Sequence, residues 1–144
     1  MNGPNLKLVT STPLALVALL IAGCGNSAPS NGAFASKADA ICASLNAGDA
    51  TLSASGGAAA VKSQQALLTT ALTKLGDVSA PFNLGEAYHA FLFELTQVES
   101  VLPRLAAATA AHDATRIKSL EAQERGFERS AASSAVDAGL KGCG

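Results

Sequence analysis

The first candidates for chemistry are Glu86 and His89, which form the sequence's single Glu-x-x-His pattern. Ferritin-like di-iron bundles use two such motifs together with two further inward-facing glutamates. Here a second motif is missing, because the other histidine, His112, has no glutamate three residues upstream. On a helix, Glu86 points about 160° away from Tyr88, a residue of the predicted apolar face. We therefore expect an exposed polar pair, with no bound metal and no other cofactor.

Other catalytic patterns are missing from the sequence as well. No serine lies in a Gly-x-Ser-x-Gly turn, and no glycine-rich phosphate loop follows a strand. The formal net charge is −1 and no long block of one sign occurs, which argues against nucleic acid as a partner. The sequence therefore predicts a protein that is not an enzyme.

Cys24 lies where an apolar segment gives way to small and polar residues. Met1–Lys7 carries a single basic side chain, and Leu8–Ala22 is a mostly apolar, uncharged run of fifteen residues. A membrane-spanning helix needs about 20 such residues, so the run is short for that role. Its order of charge, apolar run and small residues is typical of a secretory signal.

The residues Ile21-Ala22-Gly23-Cys24 resemble the lipobox of bacterial lipoproteins. The resemblance implies that residues 1–23 are a lipoprotein signal peptide and that the Cys24 thiol accepts lipid, including palmitate. Two acyl chains are enough for stable membrane attachment, whereas one is marginal. We therefore expect a protein anchored by its N-terminal lipid to the extracytoplasmic face of a bacterial membrane, in the cell envelope.

Two alternatives to lipidation remain open from the residues alone. A plain signal peptide could be cut later, after Ala28 or Ala33, which would leave Cys24 without a role. The apolar run could also be retained as a membrane helix.

Residues 24–33 are predicted to be the acylated cysteine and a flexible linker. The stretch 25–33 is rich in Gly, Ser, Asn and Pro and shows no apolar periodicity. Nine residues of such a chain span roughly 15–18 Å on average. The linker would thus hold the domain, residues 34–144, just clear of the lipid headgroups.

The first predicted helix covers residues 34–47. Its apolar residues recur at helical spacing, at Phe34, Ala38, Ile41 and Leu45. Ser36 followed by Asp39 resembles a capping box at its start. Asn46-Ala47-Gly48 predicts its end, since glycine readily takes the left-handed conformation there.

Two further helices are predicted from residue 58 to about 105. The second covers Ala58–Leu75 and ends at Gly76, and the third follows a loop in which Asn83 is the expected N-cap. Pro103 should kink or break the third helix, because it lacks a backbone donor. The apolar stripe of the third helix has the rhythm of a bundle seam, with Leu84, Tyr88, Phe91, Leu95, Val98, Leu102 and Leu105.

A fourth helix is predicted over residues 114–138, with Asp113 as its N-cap. Glu121 and Arg125 are spaced as a favourable i,i+4 ion pair. The charged residues Lys118, Glu124, Glu128 and Arg129 are predicted to share a solvated outer face. Four amphipathic helices with short connections and no alternating strand pattern predict an all-α fold, an antiparallel four-helix bundle.

If Cys24 carries lipid, Cys42 and Cys143 remain as a pair. Outside the cytoplasm such a pair usually forms a disulfide, and this one would close a loop of about 100 residues. In an up-down bundle the first and last helices are neighbours, so the C-terminal segment could reach Cys42 by folding back. A redox or metal pair is the alternative, although the sequence has no Cys-x-x-Cys and no histidine beside either cysteine.

The segments "FASKADAIC" (residues 34–42) and "AGLKGCG" (residues 138–144) resemble small alanine-rich lipoproteins of actinobacteria. With the lipobox before them and a helical stretch between, the resemblance covers nearly the whole mature chain. It implies a cell-envelope location and a Cys42–Cys143 bond. It implies no activity, because this group is uncharacterised.

Phe82 and Phe93 fall outside the main apolar stripes and are candidates for a groove that binds a partner or an apolar ligand. The alternative is that they make small satellite contacts. We expect a non-enzymatic envelope protein that binds a protein partner or a small apolar ligand at the membrane surface. A passive structural lipoprotein without a specific ligand, and a metal-dependent helical-bundle enzyme, are the alternatives.

Overall fold

A computed structural model describes residues 29–144 of the chain. The predicted signal peptide, Cys24 and residues 25–28 of the predicted linker therefore lie outside the described residues. The described part consists of four α-helices and a short 3₁₀ turn, Phe82–Leu84. The helices are α1, Asn31–Ser53; α2, Gly57–Gly76; α3, Gly85–Ala110; and α4, Ala114–Asp137.

The predicted antiparallel four-helix bundle is confirmed. Helix α1 packs on α2, α2 packs on α3, and α3 packs on α4, and each consecutive pair is joined by a short connection. No strand occurs between residues 29 and 144. Within the same range, no helix has both the length and the apolar character needed to cross a membrane.

The predicted limits of α1 are wrong at both ends. The helix begins at Asn31, inside the predicted linker, because the Ser30 side chain caps it by accepting a hydrogen bond from the Ala33 backbone N–H at 3.2 Å. The expected capping box at Ser36 and Asp39 therefore lies inside the helix. At the other end α1 continues through Gly48 to Ser53.

Gly48 is explained by packing and does not end the helix. A Cβ at this position would lie 2.6 Å from Cδ2 of Leu67, so the missing side chain lets α2 approach α1 closely. Glycine inside a helix costs about 1 kcal/mol relative to alanine, and here the close approach of Leu67 gives a reason for it.

Helix α3 is longer than expected and runs through Pro103 without a break. Proline removes one backbone hydrogen bond, but buried residues on both sides of it, including Val101, Leu102 and Leu105, pack in the core. Tertiary packing of these residues therefore outweighs the local preference to stop. Asn83 lies in the 3₁₀ turn and provides no side-chain cap to α3, so that prediction is wrong.

Helix α4 agrees closely with its prediction. The Asp113 side chain caps it by accepting a hydrogen bond from the Arg116 backbone N–H at 3.0 Å. The predicted pair of Glu121 and Arg125 is present, with a 3.8 Å separation between Oε2 and Nη1. Helix α2 also agrees, since it starts one residue earlier and ends at Gly76.

The interior has two apolar clusters along the bundle axis. The first contains residues of all four helices and is organised around Tyr88, whose hydroxyl donates to the Leu75 carbonyl at 2.7 Å. Phe34 packs edge-on against the Tyr88 ring, with centroids 4.9 Å apart. The second cluster contains buried residues of α2, α3 and α4, to which α1 adds only the half-buried Leu45. Helix α1 is therefore fully integrated at one end of the bundle and loosely integrated at the other.

The expected packing of the first and last helices as neighbours holds for one end of the bundle only. Ala38 and Cys42 share the first cluster with Ala135 and Ala138. No residue of α1 beyond Cys42 is buried, and α1 and α4 make no extensive contact like those between consecutive helices. The gap between them is a cleft.

Candidate functional site: an acidic-rimmed cleft between α1 and α4

The cleft has a volume of about 290 Å³ and is lined by residues of all four helices and of the C-terminal segment. An engineered apolar cavity of about 150 Å³ already takes up benzene, so this cleft has room for an alkyl chain or a small ring system. Most of its lining is apolar, and α3 contributes only apolar residues to it. The aliphatic and aromatic side chains of the lining are Leu45, Leu68, Phe91, Leu95, Val98, Leu102, Ala131 and Ala132.

Three carboxylates stand around this apolar surface, Asp49 on α1 and Glu124 and Glu128 on α4. The side chain of Asp49 is held in place by Gln64 of α2, whose Nε2 donates to Asp49 Oδ1 at 2.6 Å. Ser53 Oγ donates to the other oxygen of the same carboxylate at 3.4 Å. One wall of the cleft thus has a negatively charged group in a fixed position.

Glu124 faces this group from the other wall. Burial raises the pKa of Glu124 to about 7, and the negative charges of Glu128, Asp49 and Glu121 raise the pKa as well. The positive charge of Arg125 opposes this rise. Because Asp49 is on α1 and Glu124 on α4, their mutual repulsion acts between the two walls of the cleft.

Glu128 lies one helical turn beyond Glu124. Partial burial of its carboxylate raises the pKa of Glu128, and the charge of Asp49 raises it further. Within residues 29–144 neither Glu124 nor Glu128 has a hydrogen-bond or ion-pair partner for its carboxylate. The prediction that both belong to a solvated outer face is therefore wrong for Glu124, which is half-buried, and incomplete for Glu128, whose exposed side chain also lines the cleft.

The lining of the cleft contains no lysine, arginine or histidine. Arg125, the nearest cation that acts on Glu124, pairs with Glu121 instead. The cleft therefore combines an apolar surface with uncompensated negative charge.

The C-terminal segment closes one end of the cleft. The sulfur atoms of Cys42 and Cys143 lie 2.00 Å apart, at disulfide distance, and both residues line the cleft. Oδ1 of Asp39 accepts backbone hydrogen bonds from Lys141 and Gly142. Asn46 Nδ2 donates to the carbonyl of Gly142 at 3.2 Å.

The residues first considered for chemistry lie elsewhere. Glu86 and His89 are both exposed on α3, and His112 is in the turn between α3 and α4. Among the residues that the structure describes, no three His, Cys, Asp or Glu side chains are grouped so that they could hold a metal ion. His112 lies after the end of α3, whereas Glu86 and His89 lie near its start, so the structure does not bring His112 to the other two residues.

The predicted groove residues Phe82 and Phe93 are also outside the cleft. Phe82 is 101% exposed in the 3₁₀ turn, and Phe93 is 60% exposed on α3. Phe82 lies at the end of the bundle where α1 begins, since the α2–α3 connection packs against Phe34 there. Neither residue belongs to either of the two apolar clusters.

Sequence reasoning missed the cleft, although its signal is present in the apolar stripes. On α4, Leu120, Glu124 and Phe127 follow helical spacing, so that a carboxylate occupies a core position. On α1, Asp49 continues the stripe of Cys42 and Leu45 in the same way. Acidic residues thus occupy core positions on two helices. Such a pattern indicates a polar site inside a bundle.

Searches with protein-family models, curated protein sequences and solved structures found no match to this chain.

Proposed function

We propose that this protein is a lipid-anchored, non-enzymatic component of the bacterial cell envelope that binds a small, mainly apolar ligand in the cleft between α1 and α4. The observation that carries the proposal is the cleft itself, in which Leu45 of α1 and Leu95 of α3 are only half-buried beside the buried side chains that complete the apolar lining. Ligand sites are typically concave, mostly apolar and provided with a few polar groups that set orientation. The cleft has these three properties.

A small ligand accounts for the geometry better than a protein partner does. The apolar surface lies at the base of a concave site, between two helices, where a flat partner surface could not reach it. The exposed rings of Phe82 and Phe93 are separate from the cleft. A partner bound there would be an additional function.

The envelope location rests on the resemblance of residues 21–24 to a lipobox, and it is supported by the position of α1. Only six residues separate Cys24 from Asn31, the first residue of α1. A lipid on Cys24 would keep the end of the bundle that carries Phe82 close to the membrane. The opening of the cleft toward Asp49 would lie farther from the lipid.

Ligand binding can be tested by native mass spectrometry of the full chain released from bacterial membranes. Leu45→Trp fills the cleft, whereas Phe82→Trp adds the same side chain at an exposed site outside it. A small-molecule adduct on the wild type and on Phe82→Trp, reduced on Leu45→Trp, supports the proposal. If all three proteins are empty and none takes up N-phenyl-1-naphthylamine, the passive structural role replaces it.

Lipidation is tested separately by growth with labelled palmitate. We expect label in the wild type and none in Cys24→Ala, with Cys42→Ala as the control that keeps the label. Equal labelling of wild type and Cys24→Ala would contradict lipidation at Cys24, but it would not bear on ligand binding in the cleft.

A further inference from the structure

We infer that the ligand of the cleft carries a positively charged nitrogen beside its apolar part, so that the cleft selects amines over alcohols and carboxylates of the same shape. This inference rests on the proposed function and names the ligand class for the same site. Its basis is the charge around the apolar surface.

The carboxylates come from both walls of the cleft. Asp49 projects from α1 and is fixed by Gln64, whereas Glu124 projects from α4. The two carboxylates repel each other across the cleft when both are ionised, since the charge of Asp49 raises the pKa of Glu124. A cation placed between the walls would interact favourably with both carboxylates, and among residues 29–144 no lysine, arginine or histidine lines the cleft.

Arg125 acts on Glu124 from outside the cleft, and no cationic side chain of the described bundle lines the cleft itself. Helices α2 and α3 contribute only uncharged side chains to the lining, and the C-terminal segment contributes Cys143 and Gly144. Arg125 on α4 is engaged by Glu121 on the outer face. Half-buried carboxylates are normally paired, so this arrangement is unfavourable until a positive group enters.

The geometry favours an organic cation over a bare metal ion. The carboxylates of residues 29–144 do not converge in a group of three that could hold a metal. An ammonium group has N–H donors that can reach separated acceptors, and the carbon chain attached to it would cover the half-buried Leu45 and Leu95. A volume of about 290 Å³ fits a chain of moderate length and not a complete phospholipid.

The test compares three ligands that share one chain: octylamine, 1-octanol and octanoate. Each is titrated calorimetrically at pH 8 into the full chain in lipid nanodiscs, with empty nanodiscs as the blank. We expect octylamine to bind about tenfold more tightly than 1-octanol, which corresponds to about 1.4 kcal/mol, and octanoate to bind most weakly.

The variants Asp49→Asn and Glu124→Gln should remove the preference for the amine while keeping the binding of 1-octanol. Glu86→Gln is the matched control, because it makes the same change at an exposed position of α3 outside the cleft, and it should keep the preference. Circular dichroism of each variant checks that the helices are intact.

The outcomes separate the two proposals. Equal affinity for octylamine and 1-octanol in the wild type overturns the cationic ligand and leaves an apolar site. If none of the three ligands binds above the blank, the proposed function itself fails. If Glu86→Gln loses the preference as fully as Glu124→Gln, the preference comes from the net charge of the protein and the assignment to the cleft is wrong.

Discussion

The carboxylate of Asp39 accepts a hydrogen bond from the backbone N–H of Gly142 at 2.8 Å, across 103 positions of the sequence. The same oxygen accepts a second bond from the Lys141 N–H at 2.9 Å. Because Asp39 precedes Cys42 by three residues, both project from the same side of α1 toward the C-terminal segment. The two sequence motifs that suggested a resemblance to actinobacterial lipoproteins are therefore halves of one contact.

Replacing Asp39 with alanine should release this segment. Two backbone donors would lose their acceptor, and we expect the free energy of unfolding to fall by about 1 kcal/mol, since the site is partly solvated. Reduction of the Cys42–Cys143 pair by dithiothreitol should also become faster, because the segment moves away from α1. Urea denaturation and a timed thiol assay measure the two effects.

Asp39→Asn is the matched variant for that experiment. It keeps an acceptor oxygen of similar reach and should lose less stability than Asp39→Ala. Equal losses in the two variants would show that the charge, and not the hydrogen bonds, holds the segment.

Reduction of the Cys42–Cys143 pair should destabilise the bundle strongly. The bond closes a loop with a sequence separation of 101 residues, and native disulfides of this kind contribute about 2–5 kcal/mol. We expect a double variant, Cys42→Ala with Cys143→Ala, to lose a comparable amount. Thermal unfolding with and without reductant measures the loss. Cys24→Ala, which keeps the Cys42–Cys143 pair, should be as stable as the wild type. Two reactive thiols in protein purified without reductant would contradict the bond.

Substitutions just after α3 and just after α4 should change the free energy of unfolding in opposite directions. Each helix ends with a residue in the left-handed conformation, His112 with φ 54° after α3 and Gly139 with φ 75° after α4. Only glycine takes this conformation without steric cost. Gly139→Ala should therefore lower the free energy of unfolding by about 1 kcal/mol, and His112→Gly should raise it by about 0.5 kcal/mol. Denaturant titration measures both, and a change of the same sign in the two variants would refute the argument.

Glu124 should make the stability depend on pH in an unusual direction. Its folded-state pKa of about 7 lies above the ordinary value of 4.5, so between these pH values the folded protein binds more protons than the unfolded chain. The contribution of Glu124 to stability therefore falls as the pH rises through this window. Glu124→Gln should raise the free energy of unfolding by about 1 kcal/mol at pH 8, less than the full pKa change would give because the carboxylate is partly solvated.

Near pH 4 the difference between Glu124→Gln and wild type should vanish, because the carboxyl is protonated in both states. Denaturation curves at pH 8, 6 and 4 follow the trend. Glu86→Gln, the same substitution at an exposed position outside the cleft, is the control for the change of charge. A constant difference across this range for Glu124→Gln would refute the assignment.

The bundle could be predicted from the sequence because apolar periodicity indicates both α2 and α4, and a side-chain cap marks the start of α4. Ala58–Leu75 was predicted and Gly57–Gly76 is present, and Asp113 caps α4 as expected. The errors occur where tertiary contacts override local signals. Gly48 faces Leu67 instead of ending α1, and Pro103 sits in a helix that packing of its neighbours maintains.

The cleft could not be predicted with the same rules, because they assign charged residues to the outside of a helix. Glu124 was placed on a solvated face from its type, although its spacing from Leu120 puts it inward. The role of Glu124 in the cleft depends on Asp49, which is 75 positions earlier in the sequence. The two residues face each other only because α1 and α4 form the two walls of the cleft. A single sequence records the spacing but not this distance.

The loose attachment of α1 beyond Cys42 has a consequence for how the bundle opens. Helices α2, α3 and α4 are linked by contacts between consecutive elements, whereas the far half of α1 contains no buried residue and is held mainly by α2. Its amide protons should therefore exchange with solvent by local opening well before those of α3, whose buried residues span both clusters. Because this half of α1 forms one wall of the cleft, its local opening would widen the cleft while α2, α3 and α4 stay folded.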